Sequence, residues 1–273
     1  PYRLDSVGRG RIMTVPVHIG GNVRDFVFDT GAAQFNFVSE RFARENGIRM
    51  IADSIPVAGI GRGWVGLGVA DSLAVGGIVM RNPVFLISPP DQATDTIEVI
   101  SVVLGNAFMR KAERFTIDNR TRHIVFPAER TLHADGTKRM ANMMLNSFQP
   151  YVRIHADGIP LLFHFDTGNV ATTLYPPYYE LFREQVDSCG VEDTVRIGGF
   201  AGVAENVCYR LPSVEFTLEG VPFTLRDIDV LPSGSAGATA GSEAGSLGTD
   251  FATAFDTLTV DYTSCTVLGE NVP

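Results

Sequence analysis

Hydrophobic and polar positions alternate along this chain in short runs rich in Val, Ile, Phe and Thr, broken by Gly, Pro, Asn and Asp. Ile12–Ile19, Asp25–Asp29, Val84–Ile87 and Phe115–Asp118 read as strands. Helical spacing is scarce. The best case is Ser39–Gly47, where Ser39 is placed to cap a helix and Gly47 to end it. Pro177–Gln185 is its counterpart, since two prolines lead into Tyr-Tyr-Glu-Leu-Phe and can open a helix. Shorter helices are expected at Asn106–Lys111 and Thr249–Ala254. The pattern predicts a mostly β, largely antiparallel protein with a few short helices.

The pattern also repeats. Phe26-Val27-Phe28 runs into Asp29-Thr30-Gly31, and Phe163-His164-Phe165 runs into Asp166-Thr167-Gly168. At this offset of 137 residues the flanks align without gaps, Val15-Pro16-Val17-His18 against Val152-Arg153-Ile154-His155. Further on the offset grows to 143, matching Gly105-Asn106-Ala107-Phe108 with Gly248-Thr249-Asp250-Phe251 and Phe115–Asp118 with Leu258–Asp261. Two long units mean two homologous lobes, because a solenoid needs at least three repeats to bury a core. The lobes are expected over residues 1–137 and 138–273, joined by the more polar stretch Glu129–Phe148.

Composition narrows the function classes. A chain of 273 residues is long enough for two cores, and 45% hydrophobic with 19% charged residues argues against disorder. A net charge of −9 and a pI near 5.0 exclude nucleic acid as the expected partner, since phosphate binding needs a basic surface. No stretch approaches the length of a membrane span. The start shows no signal-peptide pattern and lies close to the first strand, which reads as a processed terminus; a periplasmic or secreted setting is favoured over a cytoplasmic one. Cys189, Cys208 and Cys265 lack metal-type spacing, and Cys189 with Cys208 is open to either pairing or buried free thiols. Asn119-Arg120-Thr121 fits a glycosylation acceptor, and Ser233–Ser242 has the composition of a flexible loop.

The chemistry lies in the repeated tripeptide. One Asp-Thr-Gly is an ordinary turn after a strand. A given tripeptide is expected roughly 0.05 times in a chain of this length, so two copies at equivalent places point to one site. Two carboxylates brought together cannot both ionise cheaply, so they share a proton and serve as acid and base. Thr30 and Thr167 supply hydroxyls to brace the turns or reach the opposite lobe, and Gly31 and Gly168 let backbone approach the carboxylates.

On these motifs, and on Val103-Leu104-Gly105 with its second copy Ser246-Leu247-Gly248, the chain resembles the aspartic peptidase clan. It is similar to a single-chain protein whose halves each look like a retropepsin subunit, as in bacterial retropepsin-like proteins. The resemblance implies two pepsin/retropepsin-like β-barrel lobes about a pseudo-two-fold axis. It implies an aspartic endopeptidase in which Asp29 and Asp166 activate water, with no cofactor and no metal. A peptide or protein would be the substrate, and one chain would suffice for the site. Gly59, Ile60, Gly61, Arg62, Gly63 and Trp64 would form a flap closing over the substrate, with 197–202 as the second-lobe equivalent. Gly61–Gly66 also fits Gly-x-Gly-x-x-Gly, but strand-like Val69–Val75 follows rather than a helix, so dinucleotide binding is rejected.

Asn169 stands where the first copy has Ala32, and its amide is placed to donate to the nearby carboxylate and make the aspartates inequivalent. His164 shares a strand face with Asp166, and a packed, satisfied histidine is the favoured reading. The alternative function is a catalytically silent or gated peptide-binding protein of the same fold. A glycosidase with two carboxylates ranks third, as no sugar-stacking aromatics flank either motif.

Overall fold

The computed structural model describes residues 1–59, 61–89, 101–127, 140–199, 202–235 and 241–271. The first lobe is built on ten strands: β1 Arg3–Val7, β2 Gly10–Ile19, β3 Asn22–Phe28, β4 Asn36–Ser39, β5 Arg49–Gly59, β6 Gly61–Val69, β7 Ser72–Val75, β8 Ile78–Arg81, β9 Val84–Ser88 and β10 Val102–Leu104. They form one sheet in the order β5-β6-β9-β4-β10-β3-β2-β7-β8, with β1 added on β2. Two strands follow, β11 Arg114–Asp118 and β12 His123–Val125. The second lobe has β13 Met143–Asn146, β14 Gln149–Ala156, β15 Ile159–Phe165, β16 Thr173–Leu174, β17 Val191–Gly199, β18 Gly202–Leu218, β19 Val221–Val230 and β20 Gly245–Leu247 in an eight-stranded sheet. The last strands are β21 Thr257–Asp261 and β22 Thr266–Glu270.

The fold is mostly β with a few short helices, as the alternating pattern predicts. Ser39 caps the helix Glu40–Glu45, its Oγ accepting from Phe42 N at 3.2 Å, and Gly47 follows the helix end with φ +69°. The helix expected over 177–185 is instead two, Pro176–Leu181 and Arg183–Cys189, broken at Phe182. Val69–Val75 is not one strand either: β6 ends at Val69 and β7 begins at Ser72. Met143–Asn146, inside the stretch read as a connector, pairs with β14 as part of the second sheet. The first part of that stretch and residues 236–240 of the expected loop fall outside the described residues.

Two devices hold the lobes in register. In the four-stranded sheet β12-β11-β21-β22, β11 of the first lobe pairs antiparallel with β21 of the second, Thr116 facing Thr259. Phe115, Ile117, Leu258 and Val260 are fully buried beneath it. Beside this sheet the Asn119 side chain donates to Ala252 O (3.0 Å) and Phe255 O (2.7 Å) and accepts from Tyr2 Oη. The glycosylation-pattern amide is thus a clasp between lobes. All three cysteines are free, Cys189 exposed and Cys208 buried.

Candidate active site

Each aspartate is delivered by the same local construction. Phe26 and Phe28 on β3, and Phe163 and Phe165 on β15, are fully buried and fix those strands against the cores. A short strand runs parallel behind each end, β10 behind β3 and β20 behind β15, in the register Leu104–Phe28 and Leu247–Phe165. Asp29 N donates to Leu104 O (3.1 Å) and Asp166 N to Leu247 O (2.9 Å), so the sheet ladder continues to the aspartate and stops there. The chain then folds over its own carboxylate. Asp29 Oδ1 accepts from Gly31 N (2.7 Å) and Ala32 N (2.9 Å), and Asp166 Oδ1 accepts from Gly168 N (2.9 Å).

The threonines tie the two turns together reciprocally. Thr30 Oγ1 donates to Phe165 O (2.7 Å) and accepts from Thr167 N (3.0 Å). Thr167 Oγ1 donates to Phe28 O (2.5 Å) and accepts from Thr30 N (3.1 Å). Both side chains are fully buried, so each hydroxyl satisfies backbone groups that water cannot reach. The glycines make room for the opposite carboxylate. A Cβ on Gly31 would lie 2.1 Å from Asp166 Cγ, and one on Gly168 would lie 2.6 Å from Asp29 Cγ.

The two carboxyls are hydrogen-bonded to each other, and both lie above the ordinary aspartate range. Burial raises both. Asp29 is driven up further by the Asp166 charge, while hydrogen bonds from Asp29 and from backbone N–H groups hold Asp166 down. Two carboxyls so placed titrate as one coupled pair, with the stronger upward push on Asp29.

Sequence reasoning missed the residues that hold the turns from behind. Asn106 Nδ2 donates to Thr30 O (2.5 Å) and Ala32 O (3.0 Å), while its Oδ1 accepts from Tyr262 Oη (2.7 Å). In the second lobe Thr249 Oγ1 donates to Thr167 O (3.1 Å). Asn36 and Thr172 take matching parts, accepting at 3.1 Å from Gly105 N and Gly248 N. Asn106 and Thr249 each follow the matched glycine of the repeat, which was the available signal.

Two expectations are corrected. Asn169 Nδ2 does not donate to the carboxylate; it donates to Ser246 Oγ at 2.7 Å, on the strand behind. His164 is not satisfied: its Nε2 is buried with no hydrogen-bond partner among the described residues, and burial lowers its pKa. Gly59, Gly61 and Gly63 lie in the hairpin β5–β6, where Gly59 pairs with Gly61 and Gly63 with Val57. Ile60 and the Arg62 side chain lie outside the described residues, as do Phe200 and Ala201 of the second hairpin, β17–β18. Trp64 is 60% exposed and borders a cavity of about 200 Å³ with Glu40, Met50, Asp53 and Ile87, whose lining includes neither aspartate. Among the described residues no group of three or more His, Cys, Asp or Glu is arranged for a metal ion, and no helix is long and apolar enough to cross a membrane.

Comparison with known proteins bears on the fold and on the first lobe. The aspartyl protease family model matches residues 15–108, which contain the first turn and its supporting strand. The fold is similar to the crystal structure of the aspartic proteinase from Irpex lacteus, with a TM-score of 0.58 at 12% identity, over 95% of this chain and 94% of that one. No curated protein matches the sequence.

Proposed function

We propose that this two-lobed chain, similar to aspartyl proteases over residues 15–108 and to an aspartic proteinase in fold, is an endopeptidase whose catalytic pair is Asp29 and Asp166. The observation that carries this reading is the placement of each carboxyl against the other turn's glycine, with reciprocal threonine bonds fixing the pair. In the proposed reaction ionised Asp166 takes a proton from a water molecule, whose oxygen attacks the carbonyl carbon of the scissile peptide bond. Asp29 gives its proton to the carbonyl oxygen. The tetrahedral diol then collapses as a proton passes to the amide nitrogen and the C–N bond breaks, releasing two peptides. The hairpins β5–β6 and β17–β18 are proposed to cover an extended substrate from the two lobes, as backbone pairing with a peptide strand requires.

The test is cleavage of a mixed peptide library from pH 3 to 8 by the wild type, Asp29→Asn and Asp166→Asn. Acid-favoured cutting is expected, because the shared proton is lost as pH rises through the raised value of the pair. Each substitution is expected to lower kcat/KM by about 10²–10⁴-fold or more. Cutting that survives either substitution would refute the pair. A folded wild type that binds peptides and cuts none would instead establish the gated-binder reading.

A further inference from the structure

The cavity of about 200 Å³ at the stem of the hairpin β5–β6 exists because glycine stands where a side chain would fill it. Side chains alternate along β6, so Trp64, Gly66 and Gly68 share a face. Gly66 lies opposite Ile87 and Gly68 opposite Met50. A Cβ on Gly66 would stand 2.6 Å from Met50 Sδ, so the missing side chain lets the thioether lie across the strand. Ile87 is buried and forms the floor, while Met50 and Trp64 are exposed and form the sides. On β5 the register slips between Met50 and Ala52 and again between Ala52 and Ile55, with Ser54 at φ +55°. Successive residues of a regular strand face opposite ways, but this bulged one brings both Asp53 and Ser54 to the cavity. Glu40, which opens the helix Glu40–Glu45, and Ser88 with Pro89 complete the lining.

The chemistry of this lining selects its occupant. It holds two carboxylates, Glu40 and Asp53, and no Lys or Arg. Among the described residues neither carboxylate has a hydrogen bond or an ion pair, and the nearby Arg41 is engaged by Glu45 at 3.0 Å. The Trp64 indole, 60% exposed, leaves a large apolar and π surface to water. An anion entering here would be repelled by both carboxylates. A neutral aliphatic group would cover Met50 and Ile87 but strip water from the charges without pairing them. A long cationic side chain matches every part: its methylene stem lies along Met50 and Ile87, its charge meets the indole face, and the carboxylates pair with it. The volume is below the roughly 300–1,000 Å³ that encloses a drug-sized molecule, and suits one side chain.

We propose that this cavity, lined by neither aspartate, is a docking site for one arginine or lysine side chain of the polypeptide substrate. Trp64, Glu40 and Asp53 read the cation, and Met50 and Ile87 take its stem. The occupant bridges the hairpin stem, which carries Asp53 and Trp64, and the helix that carries Glu40. That the polypeptide is a substrate rests on the peptidase reading; the binding of the basic side chain does not.

Trp64 is the only tryptophan of the chain, so intrinsic fluorescence reports on this cavity without any turnover. The full chain is titrated with N-acetyl-arginine amide, its uncharged isostere N-acetyl-citrulline amide, and N-acetyl-glutamate amide. The arginine compound is expected to change the emission saturably and to bind about tenfold more tightly than citrulline, the margin shrinking in high salt. Glutamate is expected to give no response. Asp53→Asn and Glu40→Gln are nearly isosteric and keep the reporter; each should lose about threefold for arginine, and the pair together should handle arginine and citrulline alike. No saturable response to arginine, equal binding of citrulline, or a preference that survives the double variant overturns the site. Peptides carrying one arginine or one citrulline at successive distances from the scissile bond are then compared for cleavage. A lower KM for arginine at one distance, lost in the double variant, is expected, and a KM that no placement changes overturns substrate docking. Cleavage without any fluorescence response overturns the site and leaves the peptidase reading intact. Saturable arginine binding with no peptide cut overturns the peptidase reading and leaves the site standing.

Discussion

Around Asp29 the first lobe gathers Ile12, Val27, Ala32 and Val103; around Asp166 the second gathers Gln149, His164, Asn169 and Ser246. The turns that carry the two aspartates, by contrast, are near copies, bond for bond. The difference separates two kinds of constraint. The turn must place a carboxyl within bonding distance of its twin, which leaves no room for a side chain at Gly31 or Gly168 and uses a hydroxyl at Thr30 and Thr167. The surrounding side chains meet whatever lies in the cleft, and each half has its own sequence with which to adapt them. A homodimer has one sequence for both surroundings; a single chain is free of that limit.

The sharpest way to break the claim of equivalent turns is at the glycines. Gly31→Ala and Gly168→Ala are each expected to displace the opposing carboxyl and lower kcat by about 10²-fold. Gly31→Ala is expected to be the worse, since its Cβ would come closer to the facing Asp Cγ (2.1 against 2.6 Å). Steady-state kinetics on folded variants decides it, and unchanged rates would mean the turns relax freely.

Next come the threonines. Thr30→Val and Thr167→Val each leave buried backbone groups unpaired across the lobe interface and are expected to cost about 1–3 kcal/mol in urea unfolding. Because the bonds are reciprocal, the two costs should match and the double variant should cost less than their sum. Unequal costs would show that the two halves of the clasp are not equivalent.

The pH dependence of stability sharpens the electrostatic side. A carboxyl whose folded pKa lies above its unfolded value contributes stability below the unfolded value and loses it as pH rises through the folded one. Burial raises both aspartates, and the Asp166 charge adds to the rise at Asp29. The wild-type denaturant midpoint should therefore fall from about pH 4 upward, and fall less steeply in Asp29→Asn. Parallel curves would remove the case for a buried, proton-sharing pair.

The smallest effect is expected where the lobes touch through exposed charge. Arg9, in the β1–β2 turn, reaches Asp193 (3.4 Å) and Asp229 (3.3 Å) of the second lobe. Its counterpart contact is of another kind, Arg110 lying 4.0 Å over the Phe148 ring next to the β13–β14 turn. With Arg9 58% exposed, Arg9→Ala should cost less than about 1 kcal/mol and the cost should shrink in high salt.

Much of this was legible in the sequence. The offset of the two Asp-Thr-Gly copies announced two lobes whose aspartate turns meet, and Ser39 with Gly47 marked a helix by local capping chemistry alone. What the sequence concealed depends on partners brought from far along the chain. Phe115–Asp118 and Leu258–Asp261 were recognisable as copies of each other, but a repeat does not announce that its two copies will pair as neighbouring strands. Asn169 read as a donor to Asp166 because they are close in sequence; Ser246, 77 positions away, captures the amide instead. His164 read as satisfied because most packed histidines are, and only the three-dimensional packing reveals its idle nitrogen.

The strand shared between lobes also sets a schedule for the making of the protein. On the ribosome β11 is complete long before β21, so the newly made first half has an open strand edge with no partner in place. Its Asn119 amide waits as well for the carbonyls of Ala252 and Phe255. Asp29 can stand at the end of its strand by then, but the carboxyl that shares its proton is 137 residues behind, and the sheet that locks the halves together closes only once residues 257–261 have emerged. The facing pair of aspartates is thus assembled only after the second lobe has been made, and a chain interrupted between the lobes has one aspartate turn and a sticky edge.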